Sequence, residues 1–125
     1  MAVSVRYIVD DVDTAIEFYR DLLGFEVVTH PAPMFAMLAR GDLRLLLSAP
    51  SGQGGGGQML ADGRSPEPGG WNRFQIEVHG IEAEVERLQA AGAIFRSAIL
   101  RGTGGDQALL EDPAGNAVEL FEPKR

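Results

Sequence analysis

In the first half of the chain, the hydrophobic positions predict one helix among several strands. Residues 3–9 are rich in β-branched and aromatic side chains, which is typical of a strand. Three further strands are predicted at residues 25–30, 34–39 and 43–48. Apolar residues recur at helical spacing between the first two strands, at Val12, Ala15, Ile16, Tyr19, Leu22 and Leu23. Asp11 or Asp13 can cap this helix and Gly24 can end it, and Arg40-Gly41-Asp42 is expected as a tight turn. The pattern predicts β-α-β-β-β.

The second half repeats this pattern. An alternating segment, residues 72–78, predicts a strand, and strands are also predicted at residues 94–100, 107–111 and 116–121. The helix between the first two has its apolar face at Ile81, Val85, Leu88 and Ala91, and ends at Gly92. The two halves align at an offset of 69 residues, which pairs Val9 with Val78 and Ile16 with Val85.

This repeat predicts an α+β fold: one domain of 125 residues that contains two βαβββ modules, 1–49 and 71–125. A module with one helix on one sheet face leaves its other sheet face to be covered, so we expect both sheets to curl around a shared cavity. Residues 50–70 are rich in glycine and proline and predict either a flexible linker or a flap over a site.

Composition narrows the possible partners. The net charge of −7 and the lack of a basic patch argue against nucleic-acid binding, and no apolar run is long enough to span a membrane. The chain contains no cysteine, which excludes thiol catalysis and thiolate metal sites. We expect a soluble cytoplasmic protein.

A carboxylate in the last strand is the main candidate for chemistry. Asp112-Pro113-Ala114-Gly115 predicts a turn, and the strand after it places Glu119 among apolar neighbours. Strand alternation puts further polar residues on the faces opposite the helices, namely Ser4, Arg6, Arg73, Gln75 and Glu77. Because inward charges are costly unless they are paired, this polarity indicates a site or a water-filled groove rather than a dry core.

Two segments resemble the vicinal oxygen chelate superfamily, which includes glyoxalase I, bleomycin-resistance proteins, fosfomycin-resistance enzymes and extradiol dioxygenases. They are residues 8–19 (IVDDVDTAIEFY) with residues 22–25 (LLGF), and residues 112–120 (DPAGNAVEL). The resemblance covers nearly the whole chain. It implies the paired-module fold, but not one function, because the superfamily contains isomerases, dioxygenases, transferases and metal-free binding proteins.

In metal-dependent members, two histidines and a glutamate hold a divalent ion, and the resemblance places these ligands at Ser4, Arg73 and Glu119. Only the glutamate matches, since serine is a poor ligand and arginine remains protonated. His30 and His79 are expected at exposed strand ends, too far away to replace them. We therefore expect no metal or other cofactor, with a divalent metal as the alternative.

Without a metal, Arg73 is predicted to neutralise Glu119, with a hydrogen bond from Ser4; the alternative is that Arg73 reaches solvent. Trp71 could stack on a planar ligand, and Phe35, Met34 and Met37 could form an adaptable apolar wall, although ordinary core packing explains these three as well.

Three functions remain open. The resemblance favours a metal-free protein that binds a small, mostly apolar or aromatic molecule, in the manner of drug-sequestering members. The alternative is a lyase, isomerase or dioxygenase in which Glu119 is a metal ligand or a catalytic base, the latter with Glu77 as its acid/base partner. A structural or regulatory module is the third. Because several members are homodimers, we expect a homodimer here.

Overall fold

The computed structural model describes residues 3–50 and 56–124. These residues form two compact units, one up to Gly69 and one from Gly70 onwards. Each unit contains one sheet and one main helix in the order βαβββ, so the predicted α+β class and the repeat of two modules are confirmed. The shared cavity and the single-domain organisation stay predictions. Neither α-helix in the described part of the chain is long and apolar enough to cross a membrane.

The first unit has a four-stranded sheet in the order β1-β4-β3-β2, with β1 parallel to β4. Its elements are β1 (Ser4–Ile8), α1 (Val12–Glu17), a π-helical segment (Phe18–Leu22), β2 (Glu26–Ala32), β3 (Phe35–Arg40) and β4 (Leu43–Ser48). Gly41 has a φ of 58° in the predicted turn between β3 and β4, a conformation that suits glycine.

The predicted first helix is present, but its second half is a π-helix instead of an α-helix. Asp11 caps α1, since its carboxylate accepts a hydrogen bond from the Thr14 backbone N–H at 3.2 Å. From Phe18 the α-helix gives way to a π-helical segment, which buries two consecutive aromatic residues, Phe18 and Tyr19. The Tyr19 ring packs edge to face against Phe18 at 5.0 Å and against Phe25 at 5.4 Å between ring centroids. Aromatic packing therefore determines the end of this helix.

Helix α1 packs on β3 and β4. The strand residues that this packing buries completely are Ala36, Leu38, Leu45 and Leu47. Because side chains alternate along a strand, the residues between them lie on the opposite side of the sheet, which we call the first helix-free face. It consists of Ser4, Arg6, Ile8, Phe35, Met37, Ala39, Arg44, Leu46 and Ser48.

The second unit repeats the topology, with strand order β5-β9-β8-β6 and β5 parallel to β9. Its elements are β5 (Gln75–Glu77), α2 (Ile81–Ala90), β6 (Ile94–Phe95), β7 (Leu100–Arg101), β8 (Gly105–Glu111) and β9 (Ala117–Pro123). Helix α2 packs on β8 and β9, and the buried positions of that face are Ala108, Leu110, Val118 and Leu120. The opposite side, the second helix-free face, contains Gln75, Glu77, Gln107, Leu109, Glu111, Ala117, Glu119 and Phe121.

Two strand predictions for the second unit were wrong in length. The strand predicted at residues 72–78 is reduced to β5, and the strand predicted at residues 94–100 is two short strands, β6 and β7. At the start of the gap between β6 and β7, the backbone N–H of Arg96 still bonds the Leu109 carbonyl at 2.9 Å, and its side chain reaches three other acceptors, described below.

The described end of the glycine-rich segment packs against the first unit. A Cβ atom added to Gly57 would overlap the carbonyl oxygen of Ala49, and one added to Gly56 would overlap the Arg6 side chain. Glycine is therefore needed at these two positions for close approach of the backbone. Gly54 and Gly55 lie outside the described residues, and residues 56–70 contain a single bridge residue, Gln58, as their only regular pairing.

Helix α2 is capped by a side chain from a strand. Its N-cap residue, Gly80, has a φ of 79° and no side chain to offer. Glu122 of β9 takes over this role, because its carboxylate accepts hydrogen bonds from the backbone N–H groups of Gly80 at 2.6 Å and Ile81 at 3.1 Å. These two hydrogen bonds hold the pKa of Glu122 below its ordinary value.

We expect Glu122→Gln to lower the free energy of unfolding at pH 7, and to lower it less as the medium becomes acidic. Because the pKa of Glu122 is depressed in the folded state, its stabilisation is complete above the unfolded pKa of 4.5 and is lost as pH falls through the lower folded pKa. Urea unfolding of both proteins at pH 7 and at about pH 3 measures this difference. Glu86→Gln, on the exposed side of the same helix, is the control; an equal effect of Glu122→Gln at both pH values would contradict the cap.

Candidate functional site

The turn before β9 sets the position of Glu119. Asp112 is 4% exposed, and one oxygen of its carboxylate accepts from the backbone N–H groups of Ala114 and Asn116, each at 2.9 Å. Its other oxygen accepts from the Asn116 side-chain amide at 3.0 Å, and Gly115 takes a φ of 91°. The Asp-Pro-x-Gly motif thus forms an internally bonded turn that starts β9 in a defined register.

Glu119 lies in the middle of β9 and is 7% exposed. Its register partners are Gln75 on β5 and Leu109 on β8, so strands flank it on both sides. Its Oε1 accepts a hydrogen bond from Arg73 Nε at 2.9 Å, and its Oε2 accepts one from Gln75 Nε2 at 2.7 Å. The predicted Arg73–Glu119 ion pair is therefore present.

A third donor comes from β8. With its amide nitrogen turned toward the carboxylate, Gln107 donates to both oxygens of Glu119 at 3.2 Å. The sequence analysis missed Gln107. Strand alternation does place it on the same face as Leu109, but that signal identifies a partner of Glu119 only when β8 is known to lie beside β9.

The sequence analysis considered two positions for the Arg73 side chain, paired with Glu119 or extended into solvent, and the structure lies between them. Its side chain is 27% exposed, and besides Glu119 it donates from Nη1 to the Trp71 carbonyl at 3.3 Å. Its Nη2 makes no hydrogen bond with any of the described residues. The guanidinium is thus anchored on one edge and available to solvent or a ligand on the other.

Trp71 belongs to a second polar cluster that sequence reasoning did not identify. Its ring is 69% exposed and lies 4.7 Å from the guanidinium carbon of Arg96. Arg96 also donates to Glu111 Oε2 at 2.9 Å, to the Gly70 carbonyl at 2.9 Å and to the Gly115 carbonyl at 3.0 Å. One side chain therefore ties the start of the second unit to the turn that positions Glu119.

Glu77 is exposed and lies opposite Phe121, one row further along the sheet than Glu119. The carboxylates of Glu77 and Glu119 share no hydrogen bond, and the oxygens of Glu119 already accept from protein donors. This geometry gives no support to Glu77 and Glu119 as an acid/base pair.

The remaining candidates lie on the first helix-free face. Ser4 is opposite Arg44, while Arg6, Leu46 and Met37 form one row across three strands. Phe35 is opposite Ser48 in the next row. Ser4 belongs to the first unit and Arg73 to the second, so the predicted hydrogen bond from Ser4 stays a prediction.

The side chains around Glu119 do not suit a divalent ion. Its nearest neighbours are a guanidinium and two amide groups that donate hydrogen bonds to it. Within residues 3–50 and 56–124 no group of three or more histidine, aspartate or glutamate side chains is arranged to hold a metal. His30 Nε2 lies 3.7 Å from Asp13 Oδ1, and His79 is exposed.

Comparison with known families assigns the chain. Residues 2–120 match the family described as the Glyoxalase/Bleomycin resistance protein/Dioxygenase superfamily. The chain belongs to this superfamily. The resemblance drawn from residues 8–25 and 112–120 is thereby confirmed.

Solved structures of the superfamily fold cover nearly the whole chain. The chain is 25% identical to lactoylglutathione lyase from Agrobacterium tumefaciens, with a TM-score of 0.73 over 98% of this chain and 92% of that one. A superfamily member from Sphaerobacter thermophilus DSM 20745 is 26% identical, with a TM-score of 0.77 over 98% and 96%. TnmS3, an antibiotic binding protein from Streptomyces sp. CB03234, has the same fold at 22% identity, with a TM-score of 0.73 over 99% and 96%. No curated protein matches the chain.

We expect Glu119→Ala to destabilise the protein more than Arg73→Ala. Loss of the carboxylate leaves one guanidinium and two amides without their acceptor, at a cost of about 3 kcal/mol, whereas loss of Arg73 leaves Gln75 and Gln107 on the carboxylate and costs about 2 kcal/mol. Urea unfolding of both variants and of the double variant gives the coupling energy. A loss below about 1 kcal/mol in Arg73→Ala would contradict a stabilising ion pair.

We expect Arg96→Ala to change both stability and the environment of Trp71. Because Arg96 holds one carboxylate and two carbonyls, its removal should cost about 2 kcal/mol, and the emission of Trp71, the only tryptophan in the chain, should shift. Arg87→Ala, which removes a guanidinium from the exposed surface of α2, is the control. Unchanged emission together with unchanged stability would show that Arg96 does not fasten this segment.

Proposed function

We propose that this protein binds a small, mostly apolar or aromatic molecule without a metal ion. The observation that carries the proposal is the Arg73 guanidinium on Glu119, at the position where the superfamily resemblance places a metal ligand. A fixed organic cation then supplies the positive charge that an ion supplies in metal-dependent members.

The bonding of Glu119 supports binding rather than catalysis. A general base needs a lone pair directed at the substrate proton, and a metal ligand needs one directed at the ion. Both oxygens of Glu119 instead accept hydrogen bonds from Arg73, Gln75 and Gln107. A role in holding β5, β9 and β8 together accounts for all these contacts.

Apolar side chains on the helix-free faces support the choice of ligand. Phe35, Met37 and Leu46 are half-buried on the first face, and Trp71 is exposed in the second unit. Methionine and aromatic side chains adapt to varied apolar shapes. The fold itself is compatible with such a role, since TnmS3, an antibiotic binding protein, shares it.

The second candidate is a lyase, isomerase or dioxygenase that uses Glu119 as a base or metal ligand. The likeness to lactoylglutathione lyase, at 25% identity over 98% of this chain, favours it. The main proposal includes a homodimer, which the resemblance to dimeric members supports. It also includes a location in the cytoplasm. Antibiotic sequestration is the specific biological use that we propose for the binding.

Metal content and ligand fate separate the two candidates. We expect the protein, incubated in turn with manganese, iron, nickel, cobalt and zinc and then desalted, to retain no metal above the blank, and Glu119→Ala to behave identically. Mass spectrometry measures the metal, and a zinc protein treated in parallel is the positive control.

Quenching of Trp71 fluorescence then identifies ligands among aromatic natural products, and we expect chromatography to recover them unchanged.

Retention of about one metal ion per chain, lost in Glu119→Ala, would overturn the metal-free proposal and favour the enzyme. Conversion of a bound compound to a product would also favour the enzyme.

A further inference from the structure

Two arginines on the first helix-free face have no partner among the described residues. Arg6 and Arg44 make no ion pair and no hydrogen bond there. The other described arginines and the described lysine each have an acceptor: Arg20, Arg64, Arg73, Arg87, Arg96, Arg101 and Lys124 pair with carboxylates, and Arg40 donates to the Leu23 carbonyl. Both residues are exposed, so their guanidinium groups are accessible to a ligand.

These two arginines are also neighbours. Arg6 lies opposite Leu46 on the adjacent strand and Arg44 lies opposite Ser4, so the two occupy diagonal positions across the β1–β4 pair. Neighbouring strands lie about 4.8 Å apart and two residues span about 6.6 Å along a strand, so diagonal Cα atoms are about 8 Å apart, within reach of two long side chains. Like charges at this spacing repel one another unless an anion lies between them.

The Arg6 side chain is held in place. Gly56 lies so close to it that an added Cβ would overlap its Cδ, Nε and Cζ atoms. Gly57 is packed in the same way against Ala49, at the end of β4. The glycine-rich segment therefore restricts the guanidinium, and a restricted donor loses less conformational entropy when it binds a ligand.

An independent observation is the hydroxyl of Ser48. Ser48 is 2% exposed, and its Oγ has no hydrogen-bond partner among the described residues. It lies on the same face, opposite Ile8, one row from Arg6. Because a buried hydroxyl without a partner is unfavourable, this donor calls for an acceptor that the described residues do not supply.

We propose that Arg6 binds the carboxylate of an organic anion, with Arg44 in the row on one side of it and Ser48 in the row on the other, and that the apolar body of the anion lies on Leu46, Met37 and Phe35. The guanidinium fork matches a carboxylate in shape as well as in charge, and the half-buried apolar row beside it favours an organic acid over a bare inorganic anion. This inference rests on the proposed binding function and specifies its ligand class as aromatic or apolar carboxylates.

The test compares two probes of nearly equal shape, 2-naphthoate and its neutral amide, 2-naphthamide, by isothermal titration calorimetry with the native protein. We expect the carboxylate to bind about tenfold more tightly, a preference that salt weakens. Inorganic phosphate, titrated as a third probe, should bind more weakly than 2-naphthoate. Arg6→Met should remove most of the preference for the carboxylate while 2-naphthamide binding is retained, and Ser48→Ala should reduce the preference less.

Two further variants show whether position matters rather than total charge. Arg20→Met removes the same charge from the exposed side of the first helix and should leave the preference unchanged. Gly56→Ala keeps Arg6 but displaces its stem, and should weaken 2-naphthoate binding while 2-naphthamide binding is retained.

Equal affinity for the two naphthalene probes would overturn the inference and leave the proposed binding function intact. Absence of binding by both would count against the inference and the proposed function together. Phosphate binding that equals or exceeds 2-naphthoate binding would overturn the assignment to organic carboxylates, and unchanged preference in Arg6→Met would overturn the site.

Discussion

The second unit depends on the neutralisation of one buried carboxylate. Glu119 is 7% exposed in the middle of a strand, and a charge in such a place is tolerated only with direct partners. Arg73 and Gln75 supply donors from one side of β9, and Gln107 supplies a donor from the other. Because these donors come from both flanking strands, the carboxylate fixes the register of three neighbouring segments at once. Both oxygens of Glu119 therefore already accept hydrogen bonds from protein donors.

The two units share a topology but differ in how they treat charge. In the second unit every described arginine and lysine has a carboxylate partner, whereas in the first Arg6 and Arg44 have none. On the second helix-free face Glu119 is paired with Arg73, whereas on the first Arg6 and Arg44 have no partner among the described residues. Polar groups that hydrogen-bond to one another stabilise a sheet. Hydrogen-bond donors that have no protein partner and lie beside apolar side chains are suited to binding a ligand. This contrast is the physical basis for placing ligand recognition at Arg6.

Local signals predicted local structure well. Helical periodicity located both helices, Asp11 was identified as a possible cap, and the Asp112 turn was identified from its Pro and Gly. The errors occurred where distant residues intervene. From Phe18 the helix is π-helical with Phe18 and Tyr19 buried, and the predicted strand 94–100 is broken after Phe95. Gly80 receives its cap from Glu122, which is 42 residues away. None of these interactions has a signature within one sequence window.

The sequence by itself determined the repeated βαβββ order and the strand face of Glu119, because alternation and an internal repeat require only neighbouring positions and one offset. The pairing of Glu119 with Arg73 was predicted from the superfamily resemblance, and the structure contains it. Only the tertiary structure decided that Gln107 donates to Glu119, that Trp71 lies on Arg96, and that Arg6 and Arg44 find no partner within residues 3–50 and 56–124. The physical reason is that hydrogen bonds and ion pairs depend on which strands are neighbours. Strand order follows from packing of the whole sheet and cannot be read from any single segment.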